Sequence, residues 1–443
     1  MRYKKPSLGF AAALAMFAAV PFLVPRASAQ TEKVLYSFNN TVVGTDGIQP
    51  EGGVTFDTAG NIYGTTIYGG AGTCVLDSVT PGCGTVYELV PQTGGTWTET
   101  ILHSFLQNGK DGEEPFSNNL VFDGSGNIYG VTGSGGASLD CPTNDAGTSG
   151  CGTVFELEHK SSGWVSVILH SFDGNNKNVD GQAPEGTLVF DGSGNLYGTA
   201  VGGGATPGDG MAYKLSPEAP PATWYERTMY NFQTNGKDGV SPDGGLIFDT
   251  AGNLYGVAAN GGKNGNGTVY ELIPNAKGWS EKILYTFGTG TDAAHPKGSL
   301  IFDTAGNLYG VASGGATNRG TVFELSPATG GTWTEKVLHS FADNGTDGWL
   351  PNGTLIRDSS GNLYGTTQFG GLTQCNGGCG TVFELSPETG GTWTETILYS
   401  FLNNGADGFY PEASLTFDSS GNLYGTTDSG GVYGNGTVFE VTP

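Results

Sequence analysis

The chain is poor in positive charge: 18 Lys and Arg stand against 42 Asp and Glu. That balance argues against nucleic acid, anionic membranes and heparin-like polymers as partners. No segment shows helical periodicity, which removes helical bundles and α/β folds from consideration. After the N-terminal two dozen residues no second long apolar run follows, so no membrane span is expected in the rest of the chain. The 78 glycines follow no three-residue period, which excludes a collagen. Nucleophile motifs, metal triads and phosphate-binding loops are also lacking, which weighs against an enzyme and against a required cofactor. Aromatics make up 11% of the residues, too many for a disordered chain of this composition.

The first 29 residues read as a secretory signal peptide. Arg2, Lys4 and Lys5 precede an apolar run from Leu8 to Val24, and Ala27-Ser28-Ala29 offers a cleavage site before Gln30. Cleavage also removes Arg26, leaving 14 basic residues against 42 acidic ones, a net charge of −28. The six cysteines suit an exported protein. They form three local pairs, Cys74 with Cys83, Cys141 with Cys151 and Cys375 with Cys379, and each second cysteine directly precedes Gly-Thr-Val. Three disulfides are expected, each contributing about 2–3 kcal/mol, less for the shortest loop. Zinc needs four clustered ligands, and no histidine stands beside these pairs.

What the chain does have is a repeat. Gly-Asn-(Ile/Leu)-Tyr-Gly occurs seven times, with its asparagine at 61, 127, 195, 253, 307, 362 and 422. Residues 299–341 serve as the template. Ser299–Asp303 reads as a strand a, followed by a turn at Thr304-Ala305-Gly306 in which Gly306 supplies positive φ. Strand b is 307–311, strand c 320–325 and strand d 333–341, all bounded by Gly or Pro. Four antiparallel strands in each of seven units predict an all-β, seven-bladed β-propeller over residues 30–443. The mature chain starts with a lone d-type strand at 32–38 and stops after a lone a-b-c set. The N-terminal strand is therefore expected to join the last blade and close the ring.

Gly-Asn-Leu-Tyr-Gly-Thr-Thr, the Gly-Gly pair and Gly-Thr-Val-Phe-Glu-Leu together resemble the GloVer (Gloeo-Verruco) tandem repeat of bacterial exported proteins, over nearly all of residues 32–443. Strands a and b also resemble NHL-type propeller repeats. The resemblance implies a surface or secreted protein and brings no catalytic residues with it. Many such proteins carry a C-terminal anchor; here Pro443 follows two residues after the last strand, so a freely released form, extracellular or periplasmic, is the expectation.

Internal repetition separates structural residues from candidates. The seven strand-b tyrosines, the seven aspartates that end strand a and the glutamate of strand c recur too regularly to mark one site. His103, His170 and His339 share a strand-d position that holds Tyr36, Tyr230, Tyr285 and Tyr399 in the other blades, which points to packing. The d-to-a loop reads Asp-Gly-x-x-Pro, with Ala293 in place of the glycine in blade five, and its aspartates are Asp46, Asp111, Asp180, Asp238, Asp292, Asp347 and Asp407. This is first a turn signal; a carboxylate ring near the channel mouth that could hold Ca²⁺ is the second reading, without the dense Asp/Asn pattern of a calcium loop. The b-to-c and d-to-a loops should share one face, which carries the insertions and cysteines. On it the variable positions Glu113-Glu114, Ala294-His295, Trp349-Leu350 and Phe409-Tyr410 stand out, and Arg357 replaces a phenylalanine found in the other six blades.

The sequence thus points to a monomeric, secreted, non-catalytic propeller. It would bind a polysaccharide or an extracellular protein through Trp349, Phe409, Tyr410, His295 and Arg357. A polysaccharide lyase built on His295 and Arg357, or a glycosidase using Glu113 and Glu114, is the alternative. A purely structural surface protein is the third.

Overall fold

The computed structural model describes residues 31–39, 44, 46–76, 80–116, 119–138, 141, 150–174, 180–206, 208–218, 224–372 and 374–443. The signal peptide read at 1–29 lies outside the described residues. These residues contain no helix long and apolar enough to cross a membrane.

The predicted architecture is the observed one. Seven sheets, each ordered a-b-c-d and antiparallel throughout, make a seven-bladed β-propeller. The first blade pairs Thr55–Phe56, Ile62–Thr66, Thr85–Pro91 and Trp97–Ser104. In the seventh, Thr416–Phe417, Leu423–Thr427 and Thr437–Thr442 are completed by the N-terminal strand Thr31–Ser37, which pairs with Thr437–Thr442. One sheet thus holds both ends of the chain and closes the ring.

Strand a differs from the template reading. Blade five has one continuous strand, Ala294–Phe302, whereas most blades split it into two short ladders such as Gly348–Trp349 and Ile356–Arg357. The backbone kinks at the same place in every blade, the unbroken fifth included. The residue just before the loop proline adopts left-handed φ in all seven blades: Gln49, Glu114, Ala183, Ser241, His295, Leu350 and Tyr410, between 52° and 62°. Its N–H bonds across to the preceding blade, as in Leu350 to the Arg319 carbonyl (2.7 Å) and Tyr410 to the Cys379 carbonyl (2.9 Å). The proline then meets the glycine that opens the preceding blade's strand c: a Cβ on Gly320, at φ +105°, would lie 2.3 Å from Pro351 Cδ. Each non-glycine residue in this conformation costs on the order of 1 kcal/mol, and its cross-blade bond offsets that cost.

Blades grip each other through aromatic pairs. The fully buried phenylalanine after strand d sits edge-on to the strand-c ring of the next blade, as in Phe38–Tyr87 (5.1 Å) and Phe341–Phe383 (5.2 Å). Toward the turn face, the strand-b tyrosine meets the strand-a phenylalanine of the next blade, as in Tyr63–Phe122 and Tyr255–Phe302. The core is therefore a ring of seven inter-blade clusters. Strands a stand innermost and nearly touch: a Cβ on Gly244 would lie 1.9 Å from the Gly298 carbonyl oxygen, so only glycine fits.

Candidate functional site: the loop face

The turn face is occupied by structure. In each blade the aspartate ending strand a accepts the turn amides, as Asp303 Oδ1 does from Ala305 N (2.8 Å) and Asn307 N (2.9 Å). Its Oδ2 accepts from Asn307 Nδ2 (2.8 Å) and the Tyr309 hydroxyl (3.1 Å). The strand-c glutamate receives the same tyrosine from the other side, as Glu88 does from Tyr63 (2.7 Å). A cavity of about 730 Å³ lies on this face between blades one and two, lined by Phe56, Asp57, Tyr63, Glu88 and Trp164 among others. A like groove follows between blades seven and one. Apart from His159, positions that recur around the ring make both, so size alone does not mark a site here.

The loop face is where blades differ. Its d-to-a and b-to-c loops pair with each other, as Gly348 with Gly370 and Gly408 with Gly430, which places both loop sets on one face as expected. The three disulfides form between the expected partners. The loop aspartates do not ring the channel mouth. They stand along the outer strands, accepting from the strand-d ring and the following backbone: Asp407 from Tyr399 Oη (2.8 Å) and Leu402 N (2.9 Å), Asp111 from His103 Nε2 (3.0 Å).

The channel mouth is built by the residue after the loop proline, one from each blade: Glu51, Phe116, Glu185, Asp243, Lys297, Asn352 and Glu412 line a cavity of about 220 Å³. Four of the seven are acids. Lys297 Nζ pairs with Asp243 at 2.5 Å, Gln368 Nε2 donates to Glu412, and Gln49 Nε2 donates to Asp428 at 2.9 Å. Burial, then the nearby carboxylates of Glu412, Asp428, Glu114 and Glu185, push Glu51 up to about 9. Burial and Asp243 raise Glu185 to about 7, and burial and Asp428 raise Glu412 to about 7. Burial and mutual repulsion thus make these three mouth carboxyls harder to ionise than free ones. The sequence reading missed these seven residues, although their change from blade to blade after a constant proline was a visible signal.

Beside the mouth, blades six and seven carry an aromatic surface. Trp349 stacks on Phe369 (centroids 4.4 Å apart), Phe369 meets Tyr410 (5.2 Å), and Tyr410 meets Phe409 (4.9 Å). All four rings are half-buried. Trp349 Nε1 donates to the Gly377 carbonyl (3.2 Å) inside the Cys375–Cys379 loop, and the Arg319 guanidinium covers the Trp349 ring at 4.4 Å. Trp349, Phe409 and Tyr410 are thus brought together, through Phe369, which sequence reasoning passed over.

Arg357 and His295 are not part of that group. Arg357 lies at the turn end of strand a, paired with Leu363, with its guanidinium by Gly361 and facing Tyr309. There it takes the place of the phenylalanine that other blades set against this tyrosine, so it does not stand beside Trp349. His295, one blade earlier, turns Nδ1 to the Ala259 carbonyl (3.0 Å). Glu113 and Glu114 are buried, and Ser134 Oγ donates to Glu114 Oε2 (2.5 Å).

The fold defines a seven-bladed propeller with one invariant face and one variable face. The repeat model described as the Gloeobacter/Verrucomicrobia repeat matches residues 139–356 and 280–443, and the chain belongs to that family. No curated protein matches the chain. Solved structures similar to it include a candidate 6-phosphogluconolactonase from Bacteroides uniformis (12% identity, 77% of this chain and 84% of that one, TM-score 0.45). PorZ of Porphyromonas gingivalis, a surface component of the type-IX secretion system, matches at 12% identity over 77% of this chain and 42% of its own (TM-score 0.43). A Trypanosoma rangeli sialidase matches at 12% over 80% and 57% (TM-score 0.43). Likenesses this low say nothing about what the chain binds.

Proposed function

We propose that the protein is an exported, non-catalytic recognition propeller that takes a polysaccharide on its loop face. The observation that carries this reading is the contiguous surface Trp349–Phe369–Tyr410–Phe409 next to the polar channel mouth. Flat, half-exposed rings stack on the CH faces of sugars, and nearby carboxyls and amides take up hydroxyls. The Trp349 N–H is already satisfied; because Phe369 stacks on one face of its ring and the Arg319 guanidinium covers the other, a sugar takes that plane by displacing the partly exposed Arg319. Three disulfides stiffen the same face and, with the family's exported character, support an extracellular or periplasmic location.

A glycoside-cleaving reading draws on the raised carboxyls of Glu51, Glu185 and Glu412, since a protonated acid beside an ionised one is what such chemistry uses. One experiment separates the two. The mature protein is incubated with neutral and acidic polysaccharides, and both the bound fraction and newly released reducing or unsaturated ends are measured. Binding without release, abolished by Trp349→Ala, is the expected result. Released ends that vanish in Glu51→Gln or Glu412→Gln would establish the catalytic reading instead, and no binding to any glycan would overturn both.

A further inference from the structure

Seven equivalent clefts lie between the outer strands of neighbouring blades. Each holds the strand-d ring of one blade, the aspartate of the loop that follows, and the residue two places after the leading aromatic or its equivalent on the next blade's strand d. In four clefts these are Tyr, Asp and Glu, in two they are His170, Asp180 and Glu226 or His339, Asp347 and Glu395, and in one they are His103, Asp111 and Ser166. In the tyrosine version the hydroxyl is always bonded, and Tyr230 Oη bridges Asp238 (2.9 Å) and Glu281 (3.1 Å), although Asp238 Oδ1 and Glu281 Oε1 stay unpaired. The His-Asp-Ser version has one carboxylate for one imidazole (3.0 Å).

The two His-Asp-Glu clefts are different. In each, the imidazole nitrogen and the two carboxylates offer three ligand atoms within 4.8 Å of one another. His339 Nε2 is buried without a hydrogen bond, whereas every tyrosine hydroxyl at this position has one; Asp347 Oδ1, Glu395 Oε1 and Glu226 Oε1 are unpaired as their counterparts in tyrosine clefts are. Buried polar atoms left unpaired are rare and call for a missing partner. His170 Nε2 keeps weak hydrogen bonds to both Asp180 oxygens (3.3 and 3.2 Å), while His339 Nε2 lies 3.5 Å from Asp347 Oδ2 and 3.6 Å from Glu395 Oε2, long for hydrogen bonds. Those separations instead approach the ~3.3 Å expected between ligands about 2.0–2.1 Å from a tetrahedral zinc ion. Two carboxylates and a neutral imidazole also balance a divalent charge. The side chains keep 22%, 9% and 15% of their exposure, so an ion can reach them.

We infer that His170–Asp180–Glu226 and His339–Asp347–Glu395 are two divalent transition-metal sites of the zinc class, stapling blade two to three and blade five to six. One imidazole and two carboxylate oxygens suit zinc better than calcium, which takes oxygen ligands alone. The fourth position of each ion falls to water.

The repeat supplies its own controls, because His→Tyr at this position reproduces the cleft that four blades already use. The full mature protein, stripped with chelator, is dialysed against micromolar ZnCl₂, and bound zinc is counted together with the melting temperature. Two ions per chain are expected, with a zinc-dependent rise in melting temperature. His170→Tyr and His339→Tyr should each remove one ion and together both, with circular dichroism unchanged, while His103→Tyr removes none. Glu226→Gln and Glu395→Gln should weaken uptake at their own cleft at least tenfold. Absence of zinc uptake by the unmodified protein, or uptake that survives the double His→Tyr substitution, would overturn the assignment. Glycan binding plays no part in these readouts.

Discussion

The two faces of this propeller share one backbone and differ in what they do with side chains. On the turn face every blade repeats the same aspartate, asparagine and tyrosine, each spent on another. On the loop face the backbone repeats just as strictly, down to seven left-handed residues before seven prolines, yet the residues on either side of that proline change from blade to blade. Repetition in the backbone without repetition in the side chains leaves a rigid frame on which chemistry is free to vary. Recognition is therefore to be sought where the side chains stop repeating.

The comparison breaks first if the blades are not energetically equivalent beneath both faces. Phe341→Ala empties a fully buried inter-blade site and should cost about 3–5 kcal/mol; Phe38→Ala, at the ring closure, should cost as much by denaturant titration. A much smaller loss at Phe38 would mean that the closing blade is loosely held.

Next in size is the loop-face frame. Gly320→Ala forces a Cβ against Pro351 at a positive φ and should cost about 1–3 kcal/mol. On the turn face, Asp303→Ala strands two turn amides, an asparagine and a tyrosine hydroxyl, for about 1–3 kcal/mol, with glycan binding untouched. Loss of binding in this variant would deny the division of labour between the faces.

Stability should also fall with rising pH. Burial, followed by its partner Asp238, pushes Glu281 up to about 9. Burial and a neighbouring aspartate raise Glu32 and Glu99 to about 8. A carboxyl whose folded pKa exceeds its unfolded value holds its proton longer in the native state. Its stabilisation is full near and below pH 4.5 and is lost as pH climbs through 8 to 9. The melting temperature should decline from pH 5 to pH 9, and Glu281→Gln should flatten that decline. A melting temperature that rises over this interval would show these carboxyls to be ionised in the fold.

The smallest stability effect belongs to the proposed site. Trp349→Ala removes a half-buried ring and should cost about 1 kcal/mol or less in folding, yet lower glycan affinity at least tenfold. A large stability loss would place Trp349 with the disulfide loop it touches rather than with a ligand.

Much of this was legible in the residues. Local chemistry determined the turn caps at Asp303 and its equivalents, the three disulfides between cysteines 4 to 10 residues apart, and the count and order of strands. Complementary ends announced ring closure, because a lone strand d and a lone a-b-c set have nowhere else to go. Arg357 stood out as a departure, but alternation along strand a does not say which side chains it will meet. Tertiary structure decided that Trp349 and Tyr410 meet through Phe369, that the residue after each proline turns into the channel, and that Glu281 reaches Tyr230 across 51 positions of sequence. The physical reason is common to all three. Strands, turns and nearby disulfides are set by neighbours along the chain, whereas a propeller's sites lie between blades, where contacts exist only once the ring has closed.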